Sequence, residues 1–493
     1  MVLLQCTRWR IFILVAFIAI LGLIYNYWII SQHIEEPRTL PPPRYLIPPK
    51  EVVLHNQTFQ RDSTIPFDTL FDVSTKYTPK FPWAKRGIVM CLYDHVLPMG
   101  VGLLQELRSL GNFDPVQVYH CLPKELSQLS IDILLSDPLV EIIDVCSLLE
   151  ATRLFKNTEA AEAFQNFWLK PLALLYSSFE EVMLVDVDDI FFENPSRLWQ
   201  TQAYQSTGTL FFYDRVLNMP AFFNTDFNMT TNSGDIVATT YIHELFSIFP
   251  YKSMGMQPHR PSQQLLESFA WNGITAHEQD SSVVLIDKRR AGPNVLRAIY
   301  LLIAKFRFDD ICYSWGDKET FWLAFELSGQ PYQFSNWSCS VVNRIDDMDK
   351  HPETLCGSLA QFWPEPEESN ISTLFFINGQ SIINPFPSTF EHTIFWDIRF
   401  EILTESIPEF ITPRKIRTPV HDDLGDLDQT CLLNAGKVPL TREHRFRIQE
   451  RIKWGIEIAE QIQDVFDDPT SQGMMILGIV VLIAFSLPIL CFY

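Results

Sequence analysis

Two long runs without a single charged residue, Ile11 to Ile30 and Gly473 to Tyr493, bracket the chain and confine whatever folds in water to the stretch between them. A helix needs about 20 apolar residues to cross a hydrocarbon core, and both runs reach that length. The first is long for the apolar region of a signal peptide, and no small-x-small cleavage pattern follows it before Glu35 and Glu36, so it reads as an uncleaved signal-anchor. Arg8 and Arg10 precede it, while Glu35, Glu36 and a lone Arg38 follow. The positive-inside rule then puts residues 1–10 in the cytosol and the body in a lumen, a type II arrangement. The C-terminal run is expected to be a second span. A lipid-anchor signal would require small residues just upstream, where Gln461, Ile462, Gln463 and Asp464 stand.

Four N-x-[ST] sequons, at Asn56, Asn228, Asn336 and Asn370, all fall between the two runs, as expected of glycosylation sites in a lumenal body. Of the nine cysteines, seven lie in the same interval, an odd number without a C-x-x-C pair; this argues against a zinc ribbon and allows a few disulfides plus a buried thiol. A net charge of −21 opposes the counterion release that drives nucleic-acid binding, which excludes nucleic acid as a partner. With 47% hydrophobic and 20% charged residues, the chain is also not a disordered one.

Residues 31–84 include the proline-dense PRTLPPPRYLIPPK and read as an extended stalk. From residue 85 the pattern alternates. An apolar run Gly87–Tyr93, a helical stretch Pro98–Leu110, Val116–His120, a helical stretch Lys124–Leu135 and Val140–Val145 predict βαβ units and a mostly parallel sheet flanked by helices, an α/β fold over residues 85–395. Residues 396–472 are polar and punctuated by Pro408, Pro413 and Pro419, and no chemistry is assigned to them. Within them Ile448, Ile452, Ile456, Ala459 and Gln463 recur at helical spacing, predicting an amphipathic helix that lies on the membrane or on the folded body.

The most informative segment is Lys170 to Pro195, KPLALLYSSFEEVMLVDVDDIFFENP. A short buried strand Val182–Val185 runs straight into Asp186, Val187, Asp188 and Asp189. In an extended chain side chains alternate, so Asp186 and Asp188 share a face and Asp189 takes the other. Two hard carboxylates on one face suit Mn²⁺ or Mg²⁺ at a nucleotide diphosphate. The carboxyl end of a parallel strand is also where open α/β sheets bind ligands. Solvated carboxylates or a helix cap are the alternatives.

This block, followed by Asn194-Pro195, resembles the donor site of the fungal-type Golgi α-mannosyltransferases, the family of the yeast α-1,3-mannosyltransferases. Two further blocks are similar to that family: Gln279-Asp280-Ser281 followed by Val283–Ile286 and Asp287-Lys288, and Gly316-Asp317-Lys318-Glu319-Thr320-Phe321-Trp322. Gly87–Tyr93 with Leu107–Gly111 is a weaker fourth, and the likeness spans roughly residues 87–380. The resemblance implies a GT-A-fold glycosyltransferase on the Golgi membrane that moves mannose from GDP-mannose, with retention, to a mannose-containing glycan or glycoprotein. It implies Mn²⁺ (or Mg²⁺) at Asp186 and Asp188, Lys170 near the diphosphate, and Asp280 and Asp317 on the acceptor side as catalytic candidates. From the residues alone, Lys170 and Asp317 could cap helices and Asp280 could cap the strand that follows it.

Two positions depart from the family pattern. Ser282 stands in place of a glycine, and Gln361 in place of an expected histidine, which leaves the third metal ligand open among His277, His351, His392 and His421 without a choice between them. Rival readings are a UDP-hexose donor on the same fold, and a membrane-tethered glycan-binding protein without catalysis.

Overall fold

A computed structural model describes residues 77–230, 234–258, 260–343, 352–366, 372–386, 396–419 and 429–462. Both apolar end runs, the stalk up to residue 76, Asn56, Asn370, His351, His392 and His421 lie outside the described residues. Among the described residues no helix is long and apolar enough to cross a membrane.

The alternation read from the sequence appears as β1 (Arg86–Cys91), the helix Leu97–Ser109, β2 (Val116–His120), the helix Gln128–Leu135 and β3 (Val140–Asp144). Local chemistry sets the boundaries. Pro98 occupies the first turn of its helix, where a missing N–H costs nothing, and the Ser127 side chain accepts the Ser130 N–H at the start of the next. Because Ser127 caps there, the helical stretch expected from Lys124 begins only at Gln128, behind a short 3₁₀ turn Pro123–Glu125.

Next come β4 (Glu181–Val185), β5 (Asp189–Phe191), β6 (Thr209–Tyr213), the hairpin of β7 (Asp226–Thr230) and β8 (Ile236–Thr240), and β9 (Gln279–Asp287). The central sheet has the order β3-β2-β1-β4-β9-β6. Its first four strands are mutually parallel, whereas β9 runs antiparallel to both β4 and β6. All nine residues of β9 are buried, so it is a strand covered on both faces, apolar over Val283–Ile286 and polar at both ends.

A second six-stranded sheet contains β5 with β10 (Ser340–Asn343), β12 (Ser358–Phe362) and β13 (Leu374–Asn378); the short β11 (Leu355–Cys356) pairs outside it with Cys431–Leu432. It is completed by β14 (Phe410–Ile411) and, past β15 (Cys431–Leu432), by β16 (Val438–Pro439). Every pairing in it is antiparallel. The fold is therefore α/β as expected, but the expectation of a mostly parallel sheet holds only for the β3-β2-β1-β4 half. The antiparallel pairings come from β9, which enters between β4 and β6, and from the second sheet, whose strands are drawn from residues 189–191 and from the chain after residue 340.

The segment beyond residue 395 joins this body. β14 and β16 extend the second sheet, and Cys431 is bonded to Cys356. The amphipathic stretch forms the helix Arg442–Gln461, and Ile448, Ile452, Ile456 and Ala459 are buried in the protein interior. Its apolar stripe is therefore spent on the folded body. A second disulfide joins Cys121 to Cys146, and Cys91 and Cys339 are free thiols, Cys339 buried.

Central packing is tight enough to exclude one methyl group. A Cβ added at Gly87 in β1 would fall 2.3 Å from Cε2 of Phe179, whose ring is fully buried. Gly87→Ala is therefore expected to cost about 1–3 kcal/mol through overpacking. Denaturant unfolding checks this, with Gly87→Ala/Phe179→Leu recovering part of the loss.

Candidate functional site

The sheet order brings three strand ends to one edge. Because β9 is antiparallel, its first residues lie beside the last residues of β4 and β6, with Val185 opposite Val283 and Phe212 opposite Asp280. Asp186 therefore follows β4, Asp280 opens β9 and Asp214 follows β6 along a single rim.

Past Val185 the chain does not stay extended. Residues 187 and 188 form a turn closed by the Asp189 N–H donating to the Asp186 carbonyl at 3.2 Å. The alternation expected of an extended strand therefore does not apply, and the three aspartates differ in exposure instead. Asp186 and Asp188 are half-buried, while Asp189 is 0% exposed and pairs with Asn378, the last residue of β13. One Asp189 oxygen accepts the Asp186 N–H at 3.2 Å and the other accepts the Asn378 amide at 3.2 Å; that amide also donates to Asp188 at 3.1 Å. The aspartate turn is thus the crossing point between the two sheets.

Lys170 ties the rim together. It lies in the first turn of the helix Leu169–Tyr176, buried, with its Nζ 2.8 Å from Asp186 Oδ1 and 3.1 Å from Asp317 Oδ2. It also donates to the Ser281 carbonyl at 2.9 Å. Burial lowers the basicity of this ammonium, but Asp186 and Asp317 outweigh it and hold Lys170 well above its ordinary range. For Asp186, burial pushes upward, Lys170 pulls down, and Asp188 and Asp317 push up again, to about 7. The raised Asp186 carboxyl reflects its burial and this crowding of carboxylates round one ammonium. Asp317 does not cap the helix Thr320–Leu327 with its side chain; only its carbonyl bonds the Thr320 N–H.

Asp280 sits in β9 at 2% exposure with its acceptor capacity engaged. Oδ1 accepts from the Ser282 N–H at 3.0 Å and from the Ser282 hydroxyl, and Oδ2 accepts from the Gln361 amide at 2.8 Å. Both departures from the family pattern, Ser282 and Gln361, therefore converge on this one carboxylate. The Gln361 amide also donates to the Tyr213 carbonyl at 3.0 Å. His277, the one candidate metal-binding histidine within the described residues, packs against Phe222 with tilted rings whose centroids are 4.6 Å apart and stands 3.7 Å from Glu319. Among the described residues no group of three His, Cys, Asp or Glu side chains is arranged round a metal. Asp186 and Asp188 still fit a divalent ion of the type held by two carboxylates and completed by water and substrate phosphates, since both are hard oxygen donors open to solvent. Asn228 and Asn336 are exposed.

Sequence reasoning missed a second ion pair. Lys318 bonds the buried Asp214, while Glu319 accepts the N–H groups of Glu278 and Gln279 at 3.1 and 3.3 Å. Arg417, from the C-terminal segment, pairs with Glu278 and covers the Tyr213 ring at 4.4 Å. A signal for Asp214 was present: Thr209–Tyr213 is a strand running into an aspartate, as Val182–Val185 is.

Burial raises the Asp214 carboxyl, but Lys318, Arg215 and His277 overcome this and hold it well below the usual carboxylate range. A depressed folded value contributes stability that is complete above the ordinary value of 3.8 and is lost as the pH falls through the folded value. Lys318→Met should leave the buried Asp214 charge with Arg215, 3.8 Å away, to meet it, and cost about 3 kcal/mol near neutral pH. Lys318→Met/Asp214→Leu should recover most of that in urea unfolding and abolish the associated loss of stability in strong acid.

Set against known proteins, residues 85–362 match the family described as "Mannosyltransferase putative". Alpha-1,3-mannosyltransferase MNT2 of Saccharomyces cerevisiae is 26% identical over 59% of this chain and 51% of its own length. Alpha-1,3-mannosyltransferase MNT3 of the same yeast is 22% identical over 53% of this chain and 41% of its own. The chain thus spans about half the length of these curated relatives or less. Among solved structures, the bifunctional glycosyltransferase WbbM overlaps with a TM-score of 0.31 at 12% identity, covering 53% of this chain and 40% of that one. The match to the family takes in Lys170, the aspartate turn, Asp214, Asp280 and Asp317, the residues that build the rim, as well as Gln361. The chain belongs to this family of fungal α-mannosyltransferases.

Proposed function

We propose that the protein is a metal-dependent, retaining glycosyltransferase of GT-A type that transfers mannose from GDP-mannose to a mannose-containing glycan or glycoprotein at the Golgi membrane, with its body in the lumen. The observation that carries this reading is the Lys170 ammonium held between Asp186 and Asp317 with Asp188 alongside, in a chain of mannosyltransferase ancestry. A divalent ion at Asp186 and Asp188, Mn²⁺ or Mg²⁺, would supply positive charge at the donor diphosphate.

The chain's own residues account for the rest. Lys170 adds a second, fixed positive charge on the leaving-group side, already oriented before substrate arrives, which favours the transition state over the ground state. Asp317 is the second carboxylate on that ammonium and faces the same rim, so in this reading it orients the acceptor hydroxyl. Asp280 accepts three hydrogen bonds while almost fully buried, and a carboxylate so engaged is a weak nucleophile. Its role here is to fix the wall formed by Ser282 and Gln361.

The test is a donor panel of GDP-mannose, UDP-glucose, UDP-galactose and UDP-N-acetylglucosamine with Mn²⁺ and a mannoside acceptor. Turnover of GDP-mannose that EDTA abolishes is expected. Preference for a UDP-sugar would keep the transferase and overturn the mannose assignment, while glycan binding without turnover would favour the non-catalytic reading. Asp188→Asn should lower kcat by about 10² to 10³. Asp189→Asn, which touches the backbone and Asn378, should cost less in rate and more in thermal stability; equal rate losses at the two positions would contradict this division of roles.

Glycosylation follows from the lumenal placement proposed for Asn56, Asn228, Asn336 and Asn370. Endoglycosidase digestion is expected to lower the apparent mass. Asn228→Gln and Asn336→Gln should each remove one glycan's worth of that shift.

A further inference from the structure

Arg451, on the C-terminal helix Arg442–Gln461 and outside the family match, reaches the underside of the aspartate turn. It is 1% exposed. Its Nε donates to Glu106 at 2.7 Å, and its Nη2 donates to the carbonyls of Val187 at 2.9 Å and Asp189 at 3.4 Å. The carbonyls that bracket Asp188 therefore share a donor supplied from 262 and 264 residues further along the chain. Room for this guanidinium has been left in the partner helix Leu97–Ser109, where a Cβ added at Gly102 would stand 2.2 Å from Arg451 Nη1.

A buried carbonyl without a donor costs about 1–3 kcal/mol, so Arg451 stabilises the turn in this shape alongside the bond from the Gly379 N–H to the Asp188 carbonyl at 2.9 Å. The planar guanidinium can serve Glu106 through one edge and the turn through another at a fixed mutual angle, which an ammonium on a flexible stem does not reproduce. Glu106 holds the fork from the far side.

We infer that Arg451 is a positioning residue for the donor site: clamped by Glu106, it fixes the Val187–Asp189 backbone and so the direction in which Asp188 presents its carboxylate. The C-terminal helix is then a working part of the transferase. This inference rests on the proposed cation site at Asp186 and Asp188.

The experiment titrates the full-length protein with Mn²⁺ in the absence of donor sugar, reading bound metal by electron paramagnetic resonance, and follows thermal unfolding in parallel. Arg451→Met/Glu106→Leu removes both members of the pair together and leaves no orphaned charge. In that variant the Mn²⁺ dissociation constant should rise by about 10-fold or more, the scale of losing a group that orients a metal ligand. Arg451→Lys keeps the charge and loses the fork, and should show a smaller rise in the same direction. With donor present, the Mn²⁺ concentration for half-maximal activity should rise in step, while kcat at saturating Mn²⁺ changes far less. A folded double variant, or a folded Arg451→Lys should the double variant not fold, that binds Mn²⁺ as the wild type does overturns the positioning role. If wild type and Asp188→Asn alike bind no Mn²⁺, the cation site itself is refuted and the inference falls with it.

Discussion

The arrangement of the rim depends on one buried ammonium. Lys170 is taken out of water at a cost of several kcal/mol unless its charge is met at close range, and it is met by Asp186 at 2.8 Å and Asp317 at 3.1 Å. Those carboxylates come from the end of β4 and from the loop ahead of the helix Thr320–Leu327, and the Ser281 carbonyl comes from β9. Three segments far apart in sequence are thereby required to meet at one point. The requirement is stringent because withdrawal of any one partner leaves the others charged and buried.

The second pair, Lys318 with Asp214, repeats the device one residue along the same loop. Asp317 turns its side chain to Lys170 while the adjacent Lys318 turns to Asp214 after β6, so a single dipeptide joins β4 and β6 across β9. Glu319 completes the loop by accepting from the backbone at the start of β9. Alternating charge in Asp317-Lys318-Glu319 is thus a set of three different attachments, and it leaves Asp186 and Asp188 as the more open carboxylates of the rim.

What could be read from the sequence follows the range of the forces involved. Strands β1 to β4 and the helices Leu97–Ser109 and Gln128–Leu135 are written in local apolar periodicity and were legible within a few residues, whereas the short helices Val145–Ala151 and Thr158–Glu162 were not. The aspartate pair was legible because a buried strand ends directly on it. Its geometry was not, since the switch from strand to turn depends on β5 leaving for a second sheet and on Asn378 waiting there. The antiparallel course of β9 was equally hidden, because a run buried on both faces has no direction in its composition. Pairs such as Gln361 with Asp280 and Arg451 with Glu106, 81 and 345 residues apart, carry no local pattern at all.

The last of these pairs changes how the polar C-terminal segment is understood. From sequence it is a proline-punctuated stretch with one amphipathic helix, yet it is attached to the body by chemically independent means: the Cys356–Cys431 disulfide, the buried Arg417–Glu278 pair, and the buried Arg451–Glu106 pair. A segment retained only to cover apolar surface would need the isoleucine stripe of the helix and little more. Buried ion pairs are a poor source of stability, because desolvation offsets most of their attraction, but they are intolerant of displacement. Two such pairs, one contacting the strand that carries Asp280 and one contacting the turn that carries Asp188, resist sliding of the C-terminal segment over the rim. The geometry of the rim is therefore set from both sides, by Lys170 from within the matched region and by two arginines from beyond it.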